Sequence, residues 1–161
     1  MILVAYFSAT GETARLAGTL ARAAQADLYE IRPEHPYTAA DLNWHDNQSR
    51  SSVEIKDPAC RPGIAGELPD LTRYDTVFVG FPIWWYQAPR IIQTFLESLD
   101  FSGKTVIPVC TSGGSGMGRT EEILKKSCPT KAVFLPGRRF DSGASLAAIR
   151  NWLNALELSK K

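Results

Sequence analysis

The residues best suited to chemistry gather in three short stretches. The first is Ser8-Ala9-Thr10-Gly11-Glu12-Thr13, which lies between an apolar run and an amphipathic one. Backbone N–H groups at the start of a helix lack partners and carry partial positive charge, so such a turn suits an anion. Ser8, Thr10 and Thr13 add hydroxyl donors, and Gly11 lets the backbone approach closely. A P-loop would end in Gly-Lys-Ser/Thr, and a dinucleotide loop would carry three spaced glycines. This stretch has no lysine and one glycine. What remains is a phosphate monoester held by neutral donors, or else simple helix capping by Ser or Thr.

The second stretch, GFPIWWYQAPR (80–90), places Pro82, Ile83, Trp84, Trp85 and Tyr86 in a loop after a buried strand. Planar side chains there suit stacking on a flat heteroaromatic ligand, or else a partner interface. The third, CTSGGSGMG (110–118), runs through Thr111, Ser112, Gly113, Gly114, Ser115 and Gly116. Its glycines expose backbone donors and acceptors to the polar edge of a flat ligand, or make a flexible turn. A phosphate pocket, an aromatic wall and a backbone clamp together fit a mononucleotide with a large flat ring. FMN meets that description.

No catalytic acid or base stands out. His35 and His45 are expected to be solvated, and Cys110 to be buried and inert. The three cysteines (Cys60, Cys110, Cys128) show no CxxC spacing, which argues against a disulfide framework or a zinc site and for a reducing cytoplasm.

The elements that must position these loops are legible as apolar runs at 2–7, 27–31, 76–81, 105–110 and 132–137. Most are continuous in Val, Ile, Leu and Phe, as in strands buried on both faces. Helices are expected at 12–25, 88–99, 117–127 and 143–156, and Thr38 followed by Asp41 predicts another over 39–54. The order predicts one α/β domain over 1–161, a three-layer, doubly wound, parallel sheet of five strands. Ligands of such sheets sit beyond the carboxyl ends of the strands, where all three loops lie.

The 161 residues carry a net charge of +1, which argues against nucleic-acid and membrane-surface partners. No apolar run approaches the roughly 18 residues of a membrane span. The opening MILVAYF lacks the basic leader of a signal peptide and is expected to be a strand.

On these three stretches, in this order and spacing, the whole chain resembles the flavodoxin-like family. SATGET resembles its Ser/Thr-x-Thr-Gly-x-Thr phosphate loop, and the segments at 77–97 and 105–118 resemble its second and third flavin loops. The resemblance implies a flavodoxin fold with non-covalent FMN. Ser8 to Thr13 would hold the phosphate, Pro82 to Tyr86 would pack along the ring with Trp84 or Trp85 as stacker, and Thr111 to Gly116 would bind the pyrimidine edge.

The chain departs from carrier flavodoxins in several respects, one being that the third loop lacks the aromatic that many carriers stack on the flavin's other face. The carriers are strongly acidic, whereas here Arg90, Arg119, Arg138 and Arg139 face Glu121, Glu122 and Asp141 around the expected edge. Many also place a glycine where this chain has Trp85, a bulky residue expected to resist φ > 0. These departures lean the expectation toward two-electron chemistry. A reduced donor (nicotinamide or a redox protein) would supply the electrons, and a quinone-like small molecule or a protein would accept them. A one-electron carrier and a flavin-free partner-binding domain are the alternatives. Tyr37, Trp44 and Trp85 are candidate interface aromatics for a homodimer.

Overall fold

The computed structural model describes residues 1–111, 120–129 and 131–156. Strands β1 (Ile2–Tyr6), β2 (Asp27–Glu30), β3 (Thr76–Pro82), β4 (Thr105–Thr111) and β5 (Val133–Phe134) form a parallel sheet in the order β2-β1-β3-β4-β5. A sixth short strand, β6 (Arg138–Arg139), also pairs with β4. β5 falls within the expected fifth strand and β6 lies just beyond its end, the pairing being interrupted at Leu135-Pro136-Gly137. Pro136 has no N–H to give a ladder, so the single run expected over 132–137 does not form.

Helices cover both faces, and strand alternation explains the division. Val4, Phe78, Ile107 and Val109 meet α1 (Glu12–Ala24) and α5 (Leu146–Ala155) through Leu16, Leu20, Ile149 and Trp152. Leu3, Ala5, Val77, Val79 and Phe81 face the other way, onto Ile91, Ile92, Phe95 and Leu96 of α3 (Arg90–Ser98) and Leu124 of α4 (Thr120–Lys125). Both β3 and β4 are buried along nearly their whole length, as their unbroken apolar runs require. Gly80 matters here because a Cβ would lie 3.4 Å from both Tyr6 and Val109 and 3.6 Å from Thr13. Its bare backbone lets the first turn of α1 settle onto the sheet.

The expected helix over 39–54 forms only at its end, as α2 (Arg50–Lys56) capped by Ser49. Thr38 and Asp41 do make the reciprocal bonds of a capping box: the Thr38 N–H donates to Asp41 Oδ2 at 2.9 Å and the Asp41 N–H to Thr38 Oγ1 at 3.1 Å. The helix stops there because Asn43 and Asp46 accept from the N–H groups of His45 and Gln48. These local side-chain bonds compete with helical ones.

Candidate functional site

The three loops meet at one edge of the sheet. β1, β3 and β4 run parallel, with Tyr6 opposite Gly80 and Pro82 opposite Thr111, so their carboxyl ends lie side by side. The chain leaves β1 toward β2 on one side and returns to β3 on the other. The edge between β1 and β3 is therefore the point where strand order reverses. Pro82, expected in the loop, is instead the last residue of β3.

At the first loop, Gly11 ends the turn with φ 93 and stands at the N-cap of α1, which no side chain caps. A Cβ there would meet nothing within 4 Å, so the glycine answers a left-handed backbone rather than a lack of room. Its N–H donates to Ser8 Oγ at 3.1 Å, which folds the turn on itself. Ser8 and Ala9 are half-buried, Thr10, Gly11 and Glu12 are exposed, and Thr13 is buried. The Thr13 and Thr111 hydroxyls are hydrogen-bonded to each other at 2.8 Å, which ties this loop to the end of β4. A cleft of about 420 Å³ opens beside Phe7, Ser8 and Ala9, walled by Arg32 and Tyr37.

The second loop is a tight hairpin in which Trp84 and Gln87 exchange backbone hydrogen bonds at 2.8 and 3.0 Å. Its two central residues, Trp85 (φ 47) and Tyr86 (φ 63), are both left-handed. Two such residues make a type I′ turn, which ordinarily takes Asn-Gly. The expected resistance of Trp85 to positive φ is thus overturned: both hydrogen bonds close the hairpin, and Thr120 Oγ1 holds Tyr86 by donating to its carbonyl at 3.3 Å.

The two tryptophans part ways. The Trp84 ring meets Phe7 and Tyr37 edge-on, with centroids at 5.9 and 5.4 Å. Trp85 is exposed and lines a second cleft, toward α3 and α4. Of the third loop, Thr111 is buried, while Ser112, Gly113, Gly114, Ser115 and Gly116 lie outside the described residues.

Several residues at this edge carry no motif. Tyr37 donates its hydroxyl to Glu54 Oε1, and the Arg50 guanidinium lies 3.8 Å over the Tyr37 ring while its Nε donates to Glu54 Oε2 at 2.9 Å. Burial and the Glu54 carboxylate push the Tyr37 phenol well above the usual range. Tyr37 is thus half-buried, its ring held against Phe7 and Trp84. Only the Arg50–Glu54 spacing of four was legible as a helical pair.

Arg90 is a further correction. It does not join the charges at the edge but is 4% exposed. It donates to the carbonyls of Glu54 and Ile55 at the end of α2, at 3.4 and 2.6 Å, and to Gln93 Oε1 at 2.9 Å. Arg119 lies outside the described residues. Arg139 is paired with Asp141 at 2.9 Å, beside Cys110 of β4.

His35 and His45 are exposed, as expected, and His45 stacks on Trp44 at 3.7 Å. Cys110 is buried, and burial pushes its thiol up to about 12. Among the described residues no group of His, Cys, Asp and Glu is arranged to hold a metal ion, and no helix is long and apolar enough to cross a membrane.

The flavodoxin family model matches residues 1–156. The chain belongs to the flavodoxin family. Among solved structures, this flavodoxin is similar to two provisionally assigned flavoproteins. That of Bacteroides eggerthii DSM 20697 shares 49% identity at TM-score 0.91, with 98% of each chain covered. That of Bacteroides uniformis ATCC 8492 shares 50% identity at TM-score 0.90, covering 95% of this chain and 97% of that one. A flavoprotein of Lactobacillus acidophilus NCFM in complex with FMN shares 19% identity at TM-score 0.66, covering 86% of this chain and 91% of the other. That last likeness is one of fold. No curated protein matches the flavodoxin's sequence.

Proposed function

We propose that this flavodoxin binds FMN and passes electrons between a reduced donor and an acceptor. FMN is the cofactor the family implies, and the residues at the sheet edge fit it. The observation that carries the reading is the start of α1, whose N-terminal N–H groups meet no capping side chain and directly follow the Ser8–Gly11 turn. In this reading Ser8 to Thr13 hold the phosphate, with Thr13 acting from beneath through Thr111. Pro82 to Tyr86 form the ring wall, with Trp84 as its fixed member, and Thr111 to Gly116 close the polar edge. Bound FMN supplies the redox chemistry; the chain supplies position and electrostatics.

The finer reading is two-electron transfer from a nicotinamide or redox-protein donor to a quinone-like acceptor. A net charge of +1 supports it, because a chain without acidic excess penalises an anionic reduced ring less. The left-handed Trp85 favours the other reading, a one-electron carrier, since this loop already has the backbone that the family's glycine permits.

Anaerobic, stepwise reduction of the FMN-loaded protein under a visible spectrum separates them. Direct passage from oxidised to fully reduced supports two-electron chemistry, and a strong one-electron intermediate supports the carrier. Failure to bind FMN overturns both and leaves a partner-binding domain.

A further inference from the structure

The cleft that Trp85 shares with α2, α3 and α4 is distinct from the phosphate loop. It encloses about 740 Å³, within the roughly 300–1,000 Å³ of small-molecule sites. Its lining holds four cations, Lys56, Arg61, Arg90 and Lys126, against one carboxylate, Glu97.

That carboxylate is already satisfied. Arg61 donates to both its oxygens at 2.8 and 3.0 Å, and the Ser127 hydroxyl donates to Oε2 at 2.9 Å. Lys56, Arg90 and Lys126 therefore have no carboxylate partner among the described residues.

Two lysines on a surface need no ligand, but Arg90 is different. Buried charges are ordinarily paired, and Arg90 meets only neutral acceptors. Three of its five N–H donors are used, two are not, and the residue lines the cleft. Guanidinium is the group best matched to phosphate oxygens, and one monocarboxylate would leave most of this charge unmatched. Trp85 and Ile123 supply an apolar wall, with the indole offering a face for stacking.

We propose that this cleft binds a phosphorylated molecule bearing a planar ring, with its phosphates on Arg90 and Lys126 and its ring against Trp85. A nucleotide diphosphate has that chemistry. The site stands independently of the flavin reading, although Trp85 would place its ligand beside the ring wall.

Calorimetric titration of the FMN-saturated protein with ADP, pyrophosphate and adenosine tests it. Saturation keeps the phosphate loop occupied. ADP is expected to bind at one site, pyrophosphate at least about tenfold more weakly, and adenosine undetectably. Lys56→Glu/Lys126→Glu should weaken ADP by about tenfold or more, and raised salt should do the same. Arg90→Gln should abolish binding; should it fail to fold, the exposed lysine pair still decides. No ADP binding, or ADP binding indifferent to the lysine pair, overturns the site. Pyrophosphate binding as tight as ADP overturns the role of the ring. A protein that takes up no FMN is titrated as purified, where sensitivity to the lysine pair separates this cleft from the phosphate loop. Loss of FMN binding thus sinks the flavin reading alone.

Discussion

Thr13 and Thr111 stand 98 residues apart in sequence and share a buried hydrogen bond of 2.8 Å between their hydroxyls. One sits in the first turn of α1 and the other ends β4, so this contact ties the turn after β1 to the end of β4. Replacing either residue alone with valine strands a buried hydroxyl, which costs about 1–3 kcal/mol. Thr13→Val/Thr111→Val removes both partners and should cost clearly less than the sum. Urea denaturation of the three variants checks this, and additive losses would mean the two hydroxyls act separately.

Trp85 and Tyr86 hold a backbone that L-residues adopt at a cost of roughly 1–2 kcal/mol each. Trp85→Asn/Tyr86→Gly supplies the residues a type I′ turn prefers. The FMN-free variant is expected to gain about 1–2 kcal/mol in denaturant stability, the relief of that strain less the lost packing. FMN affinity, read by quenching of flavin fluorescence, should fall at least about tenfold. A variant neither more stable nor weaker for FMN would show that the strain serves nothing at this site.

How much of this was legible in the sequence depended on the range of the interactions involved. β3 and β4 were readable because strands buried on both faces need unbroken apolar residues, and the turn at Gly11 because a strand-to-helix junction with hydroxyls has few other uses. The segment 39–54 misled because a correct capping box at Thr38 and Asp41 starts a turn that Asn43 and Asp46 then end. Local competition of that kind is decided by side-chain geometry, which a periodic pattern does not carry. Arg90 misled for the opposite reason: its burial depends on α2 carbonyls more than thirty positions away. Positive φ at Trp85 was hidden because residue type argues against it and two backbone bonds across the hairpin overrule it.

Tyr37 is the brace between the 33–73 segment and the aromatic wall, touching Trp84 and Phe7 while its hydroxyl donates to Glu54. Tyr37→Phe keeps the ring and removes a hydrogen bond to a charged group, which costs about 1.5–3 kcal/mol. The Trp84 emission should broaden as its wall loosens, and FMN affinity should fall with it. Glu54→Gln retains an acceptor and is expected to lose less. Equal losses in both variants would mean that the Glu54 charge, through Arg50, matters more than the phenol bond.

The fold should lose stability in alkali, and the sign follows from Cys110 and Cys128. Burial raises the Cys110 thiol from 9.0 to about 12 and the Cys128 thiol from 9.0 to about 11. Each group is thus held neutral in the folded chain while the unfolded chain ionises near its ordinary value. The stability this represents is complete below pH 9 and is lost as pH climbs toward 11 and 12. Within that window each thiol contributes a fall of at most about 1.4 kcal/mol per pH unit. Urea midpoints measured at pH 8, 9, 10 and 11 should therefore drop progressively above 9. Cys110→Ala, a slightly smaller residue in the same apolar site, should be less stable at pH 8 yet fall less steeply. A variant whose slope matches that of the parent would show that Cys110 does not ionise on unfolding, and the buried tyrosines would then be the groups to replace next.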